Sequence, residues 1–265
     1  MAERFVYGPA PTGFAELRVP PGDGPHPVVI LIHGGFWRAR YGLDLMDRLG
    51  DDLAARGIAT WNIEYRRVGE PGGGYPGTLI DVATATELLR TIAADRALDL
   101  GRVITLGHSA GGHLALWLAA RGRLPIGALG AGDAAALTGP DTLPLVGVIS
   151  QAGVADLTVG WRQRLGNGAV NDFIGGGADK LPERYAVADP ALSLPLGIPQ
   201  VLVHGLLDDI VPPNISEIYV ATATRAGDDA RLRAIPAADH MAVIDPTTPA
   251  WAVIVEETRQ LLGVG

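Results

Sequence analysis

The stretch RVITLGHSAGGHLALWLAA, residues 102–120, is where the reading of the fold starts. Its first half, RVITL, is apolar and rich in β-branched residues, the pattern of a strand covered on both faces. Its second half is rich in leucine and alanine and reads as a helix. Between them lies Gly107-His108-Ser109-Ala110-Gly111, a G-x-S-x-G sequence. A serine at such a junction sits on a sharp turn, and the side chains two places to either side must be tiny or strand and helix collide. This is the arrangement of a nucleophile elbow. The turn lifts the hydroxyl clear of the sheet, and the helix N-terminus adds unpaired N–H groups and a field that favours an incoming oxyanion. Two plainer readings compete. One makes Ser109 only an N-cap in a glycine-rich turn. A phosphate loop is the other, but G-x-x-x-x-G-K-[ST] is absent and no lysine follows.

Outward from this junction the chain alternates strands with helices of about 10–15 residues. Strands are predicted at RFVY, FAELRV, VVILIH (28–33), IATWNIEY (58–65), 102–107, LPLVGVISQAG (143–153), PQVLVHG (199–205) and RLRAIP (231–236). Helices are predicted at 42–56, 78–95, after Ser109, at 213–226 and at 247–262. The region 154–196 has weaker periodicity and several glycines, and reads as an insertion carrying one or two short helices over the sheet. The expectation is a mostly parallel sheet with helices on both faces, in one domain over 1–265.

Composition narrows the function classes. The 265 residues carry a net charge of -8, which argues against a nucleic-acid footprint. There is no cysteine, so thiolate catalysis, disulfides and Cys-ligated metals are excluded. No run of 18 apolar residues suggests a membrane span, and the start has no secretory pattern, so the expected location is the cytoplasm. The expected partner is a small ester or amide. A homodimer is admissible, and no metal or organic cofactor is expected.

A serine hydroxyl needs a base. His26, His33, His108, His113 and His204 lie in or beside predicted strands and helices and read as structural, with the His108 side chain expected to point away from the pocket. His240, in PAADHMAVID, lies in a polar loop that reaches the carboxyl edge of the sheet, where such folds carry their chemistry. The base in turn needs an orienting carboxylate. Asp208 and Asp209 both follow the strand PQVLVHG, and only one can serve; Asp239 and Asp156 are weaker rivals. For the oxyanion, Ala110 N–H is the first expected donor, and HGGFWR (33–38) offers Gly35 or Phe36 as the second. One such donor is worth about 3 kcal/mol. Phe36, Trp37 and Arg38, with Trp161 and Phe173 from the insertion, are candidates to contact substrate. Arg38, Arg66 and Arg67 either meet a substrate carboxylate or pair with neighbouring acids. A His/Asp metallohydrolase is the cofactor-bearing rival, and a noncatalytic binding protein is another.

Together VVILIHGGFW, GHSAGGHLA, QVLVHGLLDDIVPP and ADH resemble the α/β-hydrolase superfamily, over nearly the whole chain. The resemblance implies an eight-stranded, mostly parallel sheet and a triad of Ser109, Asp208 and His240. It selects Asp208 over Asp209 through the spacing H-G-x-x-D-x-x-V-P. It maps the oxyanion donors to Gly35, Phe36 and Ala110. The HGG-aromatic-W pattern is similar to an esterase branch that includes carboxylesterases, acetyl and feruloyl esterases and kynurenine formamidase. NIEYRRVGEPGGGYPGTLID is especially similar to formamidases and small carboxylesterases. The chain departs from the lipase pattern in having phenylalanine where that group has a third glycine. It lacks the propeller of oligopeptidases, which makes a peptidase the weaker reading. Hydrolysis of a small or medium-sized carboxylic ester is the implied activity, with N-formylkynurenine or an amide as alternatives.

Overall fold

A computed structural model describes residues 2–265. Eight strands form one sheet: β1 (Glu3–Val6), β2 (Phe14–Arg18), β3 (His26–Ile32), β4 (Ala59–Ile63), β5 (Leu98–His108), β6 (Gly147–Gln151), β7 (Gln200–Gly205) and β8 (Ala230–Ile235). Their spatial order is β1-β2-β4-β3-β5-β6-β7-β8. β1 and β2 run antiparallel to their neighbours, and β3 to β8 are parallel. Among the described residues eight α-helices accompany them: α1 (Asp47–Ala55), α2 (Gly77–Ile92), α3 (Ala110–Ala120), α4 (Leu157–Arg162), α5 (Leu165–Ile174), α6 (Pro182–Ala188), α7 (Asn214–Arg225) and α8 (Pro249–Leu262). This is the α/β-hydrolase architecture that the motifs imply.

The continuous apolar runs of the central strands follow from cover on both faces. Val28, Ile30 and Ile32 of β3 pack into a core with Leu79 and Val82 of α2, Leu114 of α3 and Ile215 of α7. Val29 and Leu31 point the other way, into a core with Leu49 and Leu53 of α1 and Trp251 and Ile254 of α8. Every residue of β3 is buried. Because side chains alternate across a strand, this run can be apolar throughout only if neither face meets water.

Several expectations change. The helix at 42–56 begins with a 3-10 turn, Leu43–Met46, before α1. β5 starts at Leu98, four residues early, and pairs with β3 across a register shift between Pro27 and Val28. β3 begins at His26, two residues before the predicted strand. The insertion carries three helices and a further 3-10 turn, Pro190–Ser193, where one or two helices were expected. Among the described residues no helix is long and apolar enough to cross a membrane.

Candidate active site

Ser109 sits between β5 and α3 at φ 56°, ψ -118°, a conformation disfavoured for any residue but glycine. The surroundings hold it there. Its N–H donates to Gln151 O at the end of β6 (2.8 Å), and its carbonyl accepts from Gly112 (2.9 Å) and Val154 (3.2 Å). A Cβ on Gly107 would stand 2.0 Å from Gly111 O, and one on Gly111 would stand 2.1 Å from Ile32 O. Both obstacles are backbone, so neither can step aside. Gly111→Ala is therefore expected to destabilise the protein by at least about 3 kcal/mol in urea unfolding, and a loss under about 1 kcal/mol would refute the collision.

Asp208 and His240 meet above the carboxyl edge of the sheet. His240 Nδ1 lies 2.7 Å from Asp208 Oδ2. The carboxylate only accepts, so Nδ1 carries the proton and Nε2 keeps its lone pair. Asp208 Oδ1 accepts from the N–H groups of Ile210 (2.9 Å) and Val211 (2.8 Å). Its Oδ2 also faces His204 Nε2 at 3.1 Å, and the same nitrogen lies 2.8 Å from Val211 O. That carbonyl makes Nε2 the donor, so His204 Nδ1 accepts from Ser216 Oγ (2.7 Å). Burial by itself would raise the Asp208 carboxyl; the hydrogen bonds from His204 and His240 outweigh it and hold the group well below the usual carboxylate range. His204 read as structural in the sequence, yet it touches the candidate orienting carboxylate. The i, i+4 spacing of His204 and Asp208 around a strand end was the available signal.

The rival acids are otherwise engaged. Asp209 is exposed. Asp239 Oδ1 accepts from the N–H groups of Met241 (3.0 Å) and Ala242 (2.8 Å), and Asp156 caps α4 through Val159 N–H (2.7 Å).

The candidate oxyanion loop, residues 33–38, follows β3. A Cβ on Gly34 would stand 2.9 Å from Ser109 Cβ, so only glycine lets the loop pass this close. The loop then turns left-handed, at φ 112° for Gly35, 52° for Phe36 and 56° for Trp37. Below it His33 Nε2 meets Glu64 Oε1 (2.9 Å), His33 Nδ1 meets Gly34 O (2.8 Å), and the ring stacks on Tyr65 at 4.3 Å. Among the described residues the N–H groups of Gly35, Phe36 and Ala110 find no acceptor within the protein, and Ala110 is the first residue of α3, where no intrahelical partner exists.

Ser109, His240, Gly35 and Phe36 line one cavity of about 150 Å³. Its remaining walls are Tyr41, Leu45, His108, Ile210 and Met241. Among the described residues Ser109 Oγ makes no hydrogen bond to His240; such contacts commonly tighten only when substrate binds. His108 faces this cavity rather than away from it. Its Nε2 donates to His240 O (2.9 Å) and its ring lies 4.6 Å from that of His240. Burial, and then the neighbouring His240, push its pKa down to about 3, so it is neutral at pH 7.

Four proposed contact residues do not line this cavity. Trp37 is fully buried and stacks on Phe173 at 4.6 Å, with His113 edge-on at 5.3 Å; both aromatics are core, because consecutive left-handed residues send Phe36 and Trp37 in different directions. Arg38 pairs with Asp172 (2.8 Å). Trp161 lines a separate hollow within the insertion. Arg66 pairs with Asp81 and Arg67 with Glu70, which is the bland alternative for both. Among the described residues no three His, Asp or Glu side chains gather as metal ligands.

Comparison with known proteins bears on the family and the fold. The BD-FAE family model matches residues 17–222, a span that takes in Ser109 and Asp208 and ends before His240. A probable isoprenylcysteine alpha-carbonyl methylesterase of Arabidopsis thaliana is 32% identical over 111 residues. That match covers 42% of this chain and 26% of the relative, so the chain spans about a quarter of its length. Among solved structures, a bifunctional GH43-CE protein of Bacteroides eggerthii superposes with a TM-score of 0.79 at 21% identity, over 97% of this chain and 38% of that one. The esterase Est2 of Thermogutta terrifontis superposes with a TM-score of 0.77 at 20% identity, over 98% of this chain and 91% of that one. The latter has also been solved phosphoramylated by tabun. At these identities the likeness is one of fold.

Proposed function

The chain belongs to the BD-FAE family, and from that premise we propose that it is a serine carboxylesterase working through an acyl-enzyme. The observation that carries this reading is the 2.7 Å contact of His240 Nδ1 with Asp208, made on the rim of the cavity that Ser109 lines. His240 Nε2 takes the Ser109 proton as Oγ attacks the ester carbonyl. Negative charge collects on the carbonyl oxygen, and the free N–H groups of Ala110 with Gly35 or Phe36 receive it. Asp208 stabilises the imidazolium that forms. His240 returns the proton to the leaving alcohol, and water releases the acid by the same route.

The cavity supports a short acyl group. Tyr41, Leu45, Ile210 and Met241 give it an apolar lining, and its volume of about 150 Å³ leaves little room for a long chain. Leu45 and Met241 also border an open groove of about 540 Å³ that carries Asp44, Arg48, Asp239 and Asp245. A polar alcohol portion suits that groove.

The test is a panel of p-nitrophenyl esters from acetate to decanoate, with N-formylkynurenine alongside. Acetate to butyrate should give the highest kcat/KM, with decanoate lower by at least about tenfold, since each methylene without a pocket forfeits roughly 1 kcal/mol. A rate that rises to decanoate would overturn the short-acyl reading. A strong preference for the formamide would replace the ester by an arylformamide as substrate.

A further inference from the structure

Three consecutive residues of the oxyanion loop are each gripped by one segment of the insertion. The Phe36 ring packs against Gly166, where an added Cβ would stand 2.7 Å from Cε1 and 2.8 Å from Cδ1. The Trp37 ring stacks on Phe173, the planes 14° apart. Arg38 Nη2 pairs with Asp172 Oδ2 at 2.8 Å. Gly166, Asp172 and Phe173 all belong to α5. α5 opens in an unusual way, with Gly166, Asn167 and Gly168 all in the left-handed conformation before the right-handed turns begin. This left-handed turn brings the bare backbone of Gly166 against Phe36.

The insertion is itself tied down. Phe173 O accepts from Tyr75 N–H (2.8 Å), Val187 O from Trp117 Nε1 (2.8 Å), and Ala188 O from His113 Nε2 (2.8 Å). Gly166 is thus a point of contact within an anchored segment. On the other side of the contact, Phe36 and Trp37 are non-glycine residues at positive φ, a state that persists only where neighbours over-determine it.

We propose that α5 is a clamp on the oxyanion loop, with Gly166, Asp172 and Phe173 as positioning residues that keep the Gly35 and Phe36 N–H groups available to the oxyanion. This rests on the serine-esterase reading above. The insertion then acts on the chemical step more than on substrate capture.

Gly166→Ala and Gly168→Ala separate this from a general effect on the turn. Both glycines are left-handed, at φ 56° and 86°, so both substitutions strain the backbone, but a Cβ on Gly168 meets nothing within 4 Å. Gly168→Ala should keep kcat/KM within about twofold of wild type. Gly166→Ala should lower kcat at least about tenfold with KM changed less than about threefold, because a small displacement of an oxyanion donor is felt in the transition state. In a Phe36→Ala background, where the ring is gone, adding Gly166→Ala should change kcat by less than about twofold. Equal losses for the two alanines, or an undiminished Gly166→Ala loss in the Phe36→Ala background, would overturn the clamp. Should Gly166→Ala not fold, Phe173→Leu takes its place: a kcat loss of about fivefold or more at unchanged KM supports the clamp, and unchanged kcat overturns it. A wild-type chain that turns over no ester overturns the esterase reading and the clamp with it; an active wild type with matched alanine variants overturns the clamp alone.

Discussion

Ser109→Ala is expected to lower ester kcat by roughly 10⁴–10⁶-fold while leaving the protein folded. The two halves of this expectation come from different atoms. Catalysis uses Oγ, the only heavy atom lost, and among the described residues no other serine lines the cavity. Folding uses the backbone of residue 109, whose N–H bonds to Gln151 and whose carbonyl receives Gly112 and Val154; alanine keeps all of these. Alanine tolerates φ 56° no better and no worse than serine. The melting temperature should therefore stay within a few degrees. Some rate above the uncatalysed reaction should remain, because the N–H groups of Ala110 and the 35–36 loop still polarise the carbonyl. A variant retaining a tenth of the wild-type rate would remove Ser109 from the mechanism.

Asp208→Asn is expected to cost about 10⁴-fold in kcat, with the reason set by local geometry. Oδ1 of Asp208 accepts from two backbone N–H groups, at Ile210 and Val211. An asparagine must keep its carbonyl oxygen there, which turns its amide nitrogen toward His240 and His204. The amide then donates to His240 Nδ1. The imidazole responds by carrying its proton on Nε2, facing Ser109, and no longer accepts the serine proton. The same amide confronts the His204 N–H, so two donors face each other in a buried site. Asp209→Asn is the control. Asp209 is exposed, and its replacement should change kcat by less than about twofold. If the two asparagine variants were to behave alike, Asp208 would have no special role.

The elbow was legible in the sequence because its constraints are steric and local. Gly107 and Gly111 are required by backbone atoms 2.0–2.1 Å from any added Cβ, and a strand and a helix on either side were readable from periodicity alone. The buried strands were legible for a related reason: with both faces covered, apolar residues run without alternation. Neither signal reaches into the loops. Phe36 and Trp37 are adjacent aromatics in one turn, and nothing in their order says that the first faces the cavity and the second the core. Tyr41, Leu45, Ile210 and Met241 lie in loop, bend, turn or 3-10 segments, where no regular period assigns an inward face, and all four were missed. The choice between Asp208 and Asp209 also lay outside residue-level reasoning. The structure separates the two neighbours by their hydrogen bonds, since Asp208 receives bonds from four groups and Asp209 faces solvent.

The central claim is that His240, oriented by Asp208, makes the Ser109 hydroxyl nucleophilic. Labelling with a fluorophosphonate, read by peptide mass spectrometry, tests it most directly. The account predicts a single adduct on Ser109 in the folded wild type, and labelling slowed by at least about a hundredfold in His240→Gln and in Asp208→Asn. A wild type that turns over esters yet carries no label on Ser109, or a His240→Gln variant labelled at the wild-type rate, would contradict it.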